Sequence, residues 1–167
     1  SGSEYQCAKG VDFFDGPADE ASIAAMKTWN INAVRVPLNE ACWLGISGAP
    51  EGFGGERYRQ AILDYVARLH RHALVPILDL HWAAPGEILP ERLYPMPNVD
   101  HSLDFWADVA TTFADDDAVI FEPYNEPFPA SNDDSEEAWQ CWRDGCHASL
   151  GRGDGAFEAS GMEAAVD

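Results

Sequence analysis

Positive charge is scarce in this sequence. The 167 residues include 10 Lys and Arg against 29 Asp and Glu, which gives a formal net charge of −19 at neutral pH. Nucleic acids and anionic membrane surfaces are polyanions, and they bind basic protein surfaces. The composition therefore argues against a nucleic-acid or membrane partner.

Long apolar runs are also missing. No stretch of about 18 apolar residues is present, so we expect no membrane-spanning helix. No basic-then-apolar signal sequence begins at Ser1, although a mature or trimmed secreted protein would look the same. The residues are 46% hydrophobic and 11% aromatic, which is more than disordered chains contain. We therefore expect one folded domain over residues 1–167.

None of the four cysteines forms a CxxC pair, which argues against a zinc site. Their even number favours disulfides and an oxidising compartment, and four reduced thiols are the alternative. Cys141 and Cys146 enclose a short loop and are expected to pair locally. Cys7 and Cys42 then pair with each other if the fold brings them together. We accordingly expect a secreted, extracellular protein.

Short apolar runs alternate with amphipathic stretches along the chain. The periodicity predicts strands over 33–37, 75–80 and 118–124. Helices are predicted from the N-cap Asp19 to Trp29, over residues 56–72, from the cap Ser102 onward, and from Phe157 to Asp167. The helix capped by Ser102 is predicted to face the core with Leu103, Trp106, Ala110 and Phe113. Trp29 and Trp106 are assigned to core packing.

The order of the predicted elements is strand, helix, strand, helix, strand, helix. Apolar strands separated by helices indicate an α/β fold with a parallel sheet. A doubly wound sheet and a (β/α)₈ barrel both satisfy this order. No GxGxxG follows the first clear strand and no GxxxxGK[ST] occurs, so the nucleotide-binding version of the doubly wound sheet lacks its signal.

Polar side chains close each predicted strand. Arg35 ends the first strand, His81 the next, and Asn125 with Glu126 the third, at spacings of 46 and 44 residues. A (β/α)₈ barrel carries its active site at the carboxyl ends of its strands. The spacing therefore favours a partial barrel of roughly the first four βα units.

The third strand end presents a carboxyl beside an amide. A partly desolvated Glu126 would have a raised pKa and could act as a general acid. The neighbouring Asn125 could hydrogen-bond a sugar hydroxyl. Pro127 ends the strand and stiffens the loop that follows.

Three segments in order carry a resemblance to a known family. Residues 120–127 end in Asn-Glu-Pro, residues 32–37 contain the strand with Arg35, and residues 77–82 end in His81 and Trp82. Together they resemble glycoside hydrolase family 5, the cellulase family. The resemblance covers nearly the whole chain, beginning near Gly2, and it implies a (β/α)₈ TIM barrel.

The resemblance also implies a function. It implies a glycosidase that hydrolyses a β-linked polysaccharide or oligosaccharide with retention of configuration and needs no metal or organic cofactor. By the same analogy Glu126 is the acid/base, Asn125 binds the sugar 2-hydroxyl, Arg35 orients the nucleophile and His81 lines the subsite. From their positions past strand ends, we further expect Trp43 and Trp82 to stack on sugar rings.

Retaining hydrolysis needs a second carboxyl about 5–5.5 Å from the first. In this family the nucleophilic glutamate comes from the seventh strand, and the chain is expected to hold only four. Asp79 and Glu122 are expected to lie lower in the barrel, so the loop residue Glu40 is the only stand-in. We therefore expect the chain alone to be inactive.

Two alternatives remain beside the enzyme fragment. One is a non-catalytic carbohydrate-binding chain, and the other is a half-barrel that self-associates through its open sheet edges. The sequence does not distinguish glucan, mannan, xylan or glycosylceramide as the sugar.

The run Asp115–Asp117 is assigned to a solvated turn rather than a calcium site.

Overall fold

The computed structural model describes residues 2–129 and 133–166. One sheet contains β1 (Ala33–Asn39), β2 (Val75–Trp82) and β3 (Ile120–Glu122). The other sheet contains β4 (Gly145–Ser149) and β5 (Ala156–Ser160). The helices are α1 (Gln6–Lys9), α2 (Glu20–Thr28), α3 (Glu40–Leu44), α4 (Glu56–Arg71), α5 (Ser102–Thr112) and α6 (Glu136–Asp144).

The first sheet is parallel, with the strands in the order β1-β2-β3. Asp79 on β2 pairs in register with Pro37 on β1 and with Glu122 on β3. Side chains alternate between the two faces of a strand, so Arg35 shares the face of these residues. This face is open, whereas Val36 and Leu78 on the opposite face are fully buried.

The core lies between the buried face of the sheet and the helices α4 and α5. Helix α4 contributes Ile62, Val66 and Leu69 to the core, and their spacing places them on one side of the helix. Burying a side chain of this size contributes about 1.5–3 kcal/mol. The sheet and its two helices therefore form the rigid base from which the strand ends project.

The three predicted strands are all present, with shifted ends. β1 continues through Pro37 to Asn39, so Arg35, which was predicted to end this strand, is its third residue. β3 is limited to Ile120–Glu122. Among the described residues β1 pairs only with β2, so it is an edge strand, where proline is tolerated.

The prediction of a final helix from Phe157 is wrong. Residues 156–160 form β5, which pairs antiparallel with β4, and turns follow it up to Val166. Phe157 and Ala159 are buried while Glu158 between them is exposed, which is the two-residue period of a strand. Helix α6 was not predicted from the sequence; its N-cap Ser135 accepts a hydrogen bond from the Ala138 N–H.

The start of α5 differs from the prediction. His101 occupies the N-cap position without a side-chain cap, and Ser102 is the first helical residue. The buried Ser102 hydroxyl instead donates to Glu40 and accepts from the Asn98 N–H. A contact with Glu40, the first residue of α3, has replaced the local cap.

The buried stripe of α5 is also rotated from the predicted one. Trp106 and Phe113 are buried as predicted, but Leu103 and Ala110 are exposed. The buried residues of the helix are Ser102, Phe105, Trp106 and Val109. Trp29, assigned to the core, is 81% exposed, so that assignment is wrong.

Two disulfides pair the cysteines as expected. Cys7–Cys42 joins α1 to α3, and Cys141–Cys146 links α6 to β4. Both Cys7 and Cys42 are fully buried. Within the described residues, no helix combines the length and apolar character needed to cross a bilayer.

The two disulfides should contribute unequally to stability. Cys7–Cys42 closes a span of 35 residues, and Cys141–Cys146 a span of only 5. Because a cross-link restricts the unfolded chain more when the loop is longer, the double variant Cys7→Ala/Cys42→Ala should lose about 4 kcal/mol of unfolding free energy. The matched variant Cys141→Ala/Cys146→Ala should lose about 2 kcal/mol. Urea denaturation measures both, and an equal or reversed order would contradict this account.

Candidate active site

The guanidinium group of Arg35 connects the three strands of the parallel sheet. Its Nε donates to Glu122 Oε2 at 2.7 Å and its Nη2 to Glu122 Oε1 at 2.6 Å, a bidentate ion pair between β1 and β3. Nη2 also lies 3.0 Å from Asp79 Oδ2 and donates to Asn125 Oδ1 at 2.9 Å. One cation therefore bridges two carboxylates and an amide at the open face of the sheet.

The electrostatics of this cluster follow from burial and pairing. The hydrogen bonds to Glu122 raise the pKa of Arg35 above its usual range, so its charge is permanent. The Asp79 side chain has no exposed surface, and this burial raises its pKa against the opposing effects of His81 and Arg35. Asp79 Oδ1 has no hydrogen-bond partner among the described residues.

His81 is held by the same buried carboxylate. Its Nδ1 lies 2.6 Å from Asp79 Oδ2. In the neutral ring a proton on Nδ1 donates to Asp79 and leaves Nε2 as the acceptor. The structure therefore brings His81, as predicted from its strand end, into the cluster of Arg35.

Asn125 and Glu126 follow β3 and differ in exposure. The Asn125 N–H donates to Leu80 O at 2.9 Å, which continues the pairing of β2 and β3, and its side chain is nearly buried. Asn125 Oδ1 accepts from Arg35, and no described residue accepts from its Nδ2. That leaves the Nδ2 amide, with its two N–H donors, for a ligand.

Glu126 projects into solvent from a constrained backbone. Its φ of 47° lies in the left-handed region, which costs a non-glycine residue of order 1–3 kcal/mol. The side chain is exposed, and not partly buried as predicted. The turn into Pro127 thus presents an accessible carboxyl directly beside the anchored Asn125.

Glu40 is a second, fully buried carboxylate. Its Oε2 accepts from the Ala84 N–H at 2.5 Å and from Asn98 Nδ2 at 2.7 Å, and its Oε1 accepts from the Ser102 hydroxyl at 2.6 Å. Burial raises its pKa, although these hydrogen bonds oppose the shift. Glu40 therefore ties the start of α3 to the segment after β2, and it has no access to a substrate as a stand-in nucleophile.

The two tryptophans that were predicted to stack on sugar rings differ in their exposure to solvent. Trp43 has no exposed surface: its Nε1 donates to Asp108 Oδ2 at 2.7 Å, and its ring packs edge-on against Tyr58 and Phe105. The prediction that Trp43 stacks on a sugar is therefore wrong, because α3 turns the indole into the core. Trp82 is partly exposed and meets the Tyr5 ring edge-on at 5.6 Å.

The acidic run Asp115–Asp117 lies in a turn on the chain before β3. Asp116 Oδ2 is 2.8 Å from His70 Nε2, which is an ion pair when His70 is protonated. The described residues contain no group of three or more His, Cys, Asp or Glu arranged to hold a metal ion.

The charge of Glu40 should make stability depend on pH. Because its pKa is raised in the folded chain, its stabilising contribution is present below the unfolded value of about 4.3 and is lost as pH rises through the native value. Glu40→Gln removes this titration, and the new amide can donate to the Ser102 oxygen. The unfolding free energy of Glu40→Gln relative to wild type should therefore increase between pH 4 and pH 8, as measured by urea denaturation.

A matched control is Glu51→Gln, since Glu51 is exposed in a loop. Its difference from wild type should stay flat over the same pH range. A flat or decreasing difference for Glu40→Gln would show that burial does not destabilise this carboxylate.

Comparison with known proteins agrees with this architecture. The family model described as cellulase (glycosyl hydrolase family 5) matches residues 2–150. No curated protein matches the chain. A solved structure that it resembles is a mutant glycoside hydrolase 5 lichenase from Caldicellulosiruptor sp. F32 in complex with cellotetraose, at 23% identity and a TM-score of 0.49.

The match to that structure covers 67% of this chain and 30% of the lichenase chain. The parallel sheet with its connecting helices is part of a (β/α)₈ barrel, as the resemblance implied. With the family model spanning Arg35 on β1, His81 on β2 and Glu126 after β3, the chain belongs to the cellulase family, glycoside hydrolase family 5.

Proposed function

We propose that this chain forms the acid/base side of a retaining β-glycosidase active site. The observation that carries the proposal is the cluster around Arg35, which fixes Asn125 just past the carboxyl end of β3, with the exposed Glu126 next in the chain. Barrel enzymes carry their active sites at this end of the barrel, where the carboxyl ends of the strands lie. Membership of the cellulase family supports a β-linked polysaccharide as the substrate.

In the proposed reaction Glu126 first acts as a general acid. It protonates the glycosidic oxygen while a carboxylate attacks the anomeric carbon, so the C1–O bond breaks and a glycosyl-enzyme ester forms. Glu126, now ionised, then removes a proton from a water molecule that attacks the same carbon and releases the nucleophile. The exposed side chain at position 126 suits this role because it must reach both the leaving group and water.

Asn125 and Arg35 would prepare the substrate and the nucleophile. The unpaired Nδ2 of Asn125 can donate to the 2-hydroxyl of the reacting sugar, with the amide fixed by Arg35. The Arg35 cation would lower the energy of a nearby nucleophilic carboxylate. His81, fixed by Asp79, would line the same subsite.

We further propose that the nucleophile lies outside the described residues. Glu122 is held bidentately by Arg35, while Asp79 and Glu40 have no exposed surface. None of these three carboxylates is free to attack a sugar carbon. The active protein would then include further barrel strands.

The outer side of β3 supports a larger assembly. Ile120 is 51% exposed and Phe121 39% exposed, and Leu103 on α5 is also exposed. Additional barrel units would cover these side chains and pair with the free edge of β3. A second copy of the chain at this edge is the alternative, and a stable dimer in solution would favour it.

Secretion of the protein is part of this proposal. Two disulfides within a chain of this size support an oxidising compartment. An extracellular enzyme would also meet a polysaccharide too large to enter a cell.

Glu126→Gln in the intact barrel should reduce kcat on a natural β-glucan by about 10²–10⁴-fold, because the leaving sugar then lacks its proton donor. On an aryl cellobioside with a highly acidic phenol, the rate of bond breaking by the variant should fall much less, since this leaving group needs no proton. Steady-state and burst kinetics on the two substrates measure the difference.

The control for this variant is Glu91→Gln, which removes an exposed carboxyl outside the cluster and should leave both rates unchanged. Equal losses on both substrates for Glu126→Gln would show a structural effect. Full activity of Glu126→Gln would remove Glu126 from the mechanism.

The 167-residue chain alone should release no reducing sugar from a soluble β-glucan, because Glu122, Asp79 and Glu40, the described carboxylates weighed as nucleophiles, are paired or buried. Reducing-end assays over a long incubation measure this directly. Hydrolysis by the pure chain that Glu126→Gln abolishes would contradict the expectation and place the nucleophile within this sequence.

A further inference from the structure

Helix α6 presents a pair of tryptophans, and none of the Arg35 cluster residues lines the hollow beside them. Trp139 is 58% exposed and Trp142 is partly exposed. Their ring centroids lie 6.1 Å apart and the ring planes meet at 74°, so the two indoles form an open corner. Exposing so much aromatic surface in water is unfavourable, and the fold does not use the Trp139 face for packing.

Both indoles are fixed in place. Trp139 Nε1 donates to Asp134 Oδ1 at 2.6 Å, and Trp142 packs against the apolar cluster that contains Met96 and Phe157. The disulfide Cys141–Cys146 anchors the same helix. A ligand that contacts this corner would therefore order few side chains, which lowers the entropy cost of binding.

Polar side chains surround the corner. Glu136, Gln140 and Arg143 line a hollow of about 380 Å³ together with the two tryptophans. The side chains of Glu136 and Gln140 make no hydrogen bond to another described residue. Arg143 is paired bidentately with Asp144 at 2.6 and 2.7 Å. The free carboxylate and amide are available to hydroxyl groups.

The combination of flat rings and free hydrogen-bonding groups suits a sugar. The apolar C–H face of a pyranose packs on an indole, while its hydroxyls bond to groups at the rim. Glu136, Glu137 and Asp134 make the surroundings acidic, and the chain has a net charge of −19. A polymer of acidic sugars would be repelled, so a neutral one is favoured.

We propose that the α6 corner, formed by Trp139 and Trp142 with Glu136 and Gln140, is a second binding site for neutral β-linked gluco-oligosaccharides. The choice of ligand class rests on the proposed function. The site holds the polysaccharide by stacking and takes no part in the bond cleavage assigned to Glu126.

The test is affinity electrophoresis of the 167-residue chain in native gels that contain hydroxyethylcellulose, a neutral β-glucan. Wild type should be retarded, and Trp139→Ala should bind about tenfold more weakly, because one stacking face is lost. Trp139 is exposed, so its replacement should leave the fold intact, and circular dichroism checks this.

Trp29→Ala is the matched control, since Trp29 is an 81% exposed tryptophan on α2. Its retardation should equal that of wild type. Gln140→Ala should weaken binding about threefold, which reports on the polar rim. Gels with polygalacturonate, an anionic polymer, should not retard the chain.

The inference is overturned if wild type is not retarded, if Trp139→Ala binds as wild type does, or if the anionic polymer retards the chain equally. Loss of retardation in Trp82→Ala alone would place binding at the cleft, which overturns the α6 site and leaves the proposed function standing. The two claims fail separately, because the Glu126→Gln test reads hydrolysis and this one reads binding.

Discussion

The bidentate contact between Arg35 and Glu122 is the interaction on which the open face of the sheet depends. Asp79 and Glu122 lie side by side in register on neighbouring strands, where two carboxylates would repel each other. Arg35 lies within ion-pair distance of both and also fixes Asn125. Without Arg35 the fully buried Asp79 would lose its cation, so the strands and the charge cluster stabilise each other.

Glu40, the first residue of α3, performs a similar task directly after β1. It accepts hydrogen bonds from the Ala84 N–H and from the side chains of Asn98 and Ser102, which all follow β2 in the chain. The loop that follows His81 and Trp82, the last residues of β2, is thereby tied to the end of β1. Two charged groups, one exposed and one buried, thus position the residues from which we build the proposed mechanism.

The sequence predicted the three parallel strands because they follow from local periodicity. Prediction failed where contacts between residues far apart in the chain determine the structure. Trp43 and Trp82 both follow a predicted strand end, yet only the three-dimensional course of α3 shows that Trp43 is buried. The alanine-rich stretch after Phe157 suits a helix locally, but β5 is held by β4 and by a bridge from Asn98 to Ala159. The partners of Glu40 are likewise too far along the chain to be inferred.

The central claim is that Glu126 faces the bond to be cleaved, and the most direct measurement is a crystal structure. It would show the intact barrel, carrying Glu126→Gln to prevent turnover, with a bound cello-oligosaccharide. The account predicts that the side chain at position 126 lies within hydrogen-bond distance of a glycosidic oxygen, with Asn125 Nδ2 on the neighbouring 2-hydroxyl. A sugar bound in the cleft with position 126 turned to solvent and no contact to Asn125 would contradict it.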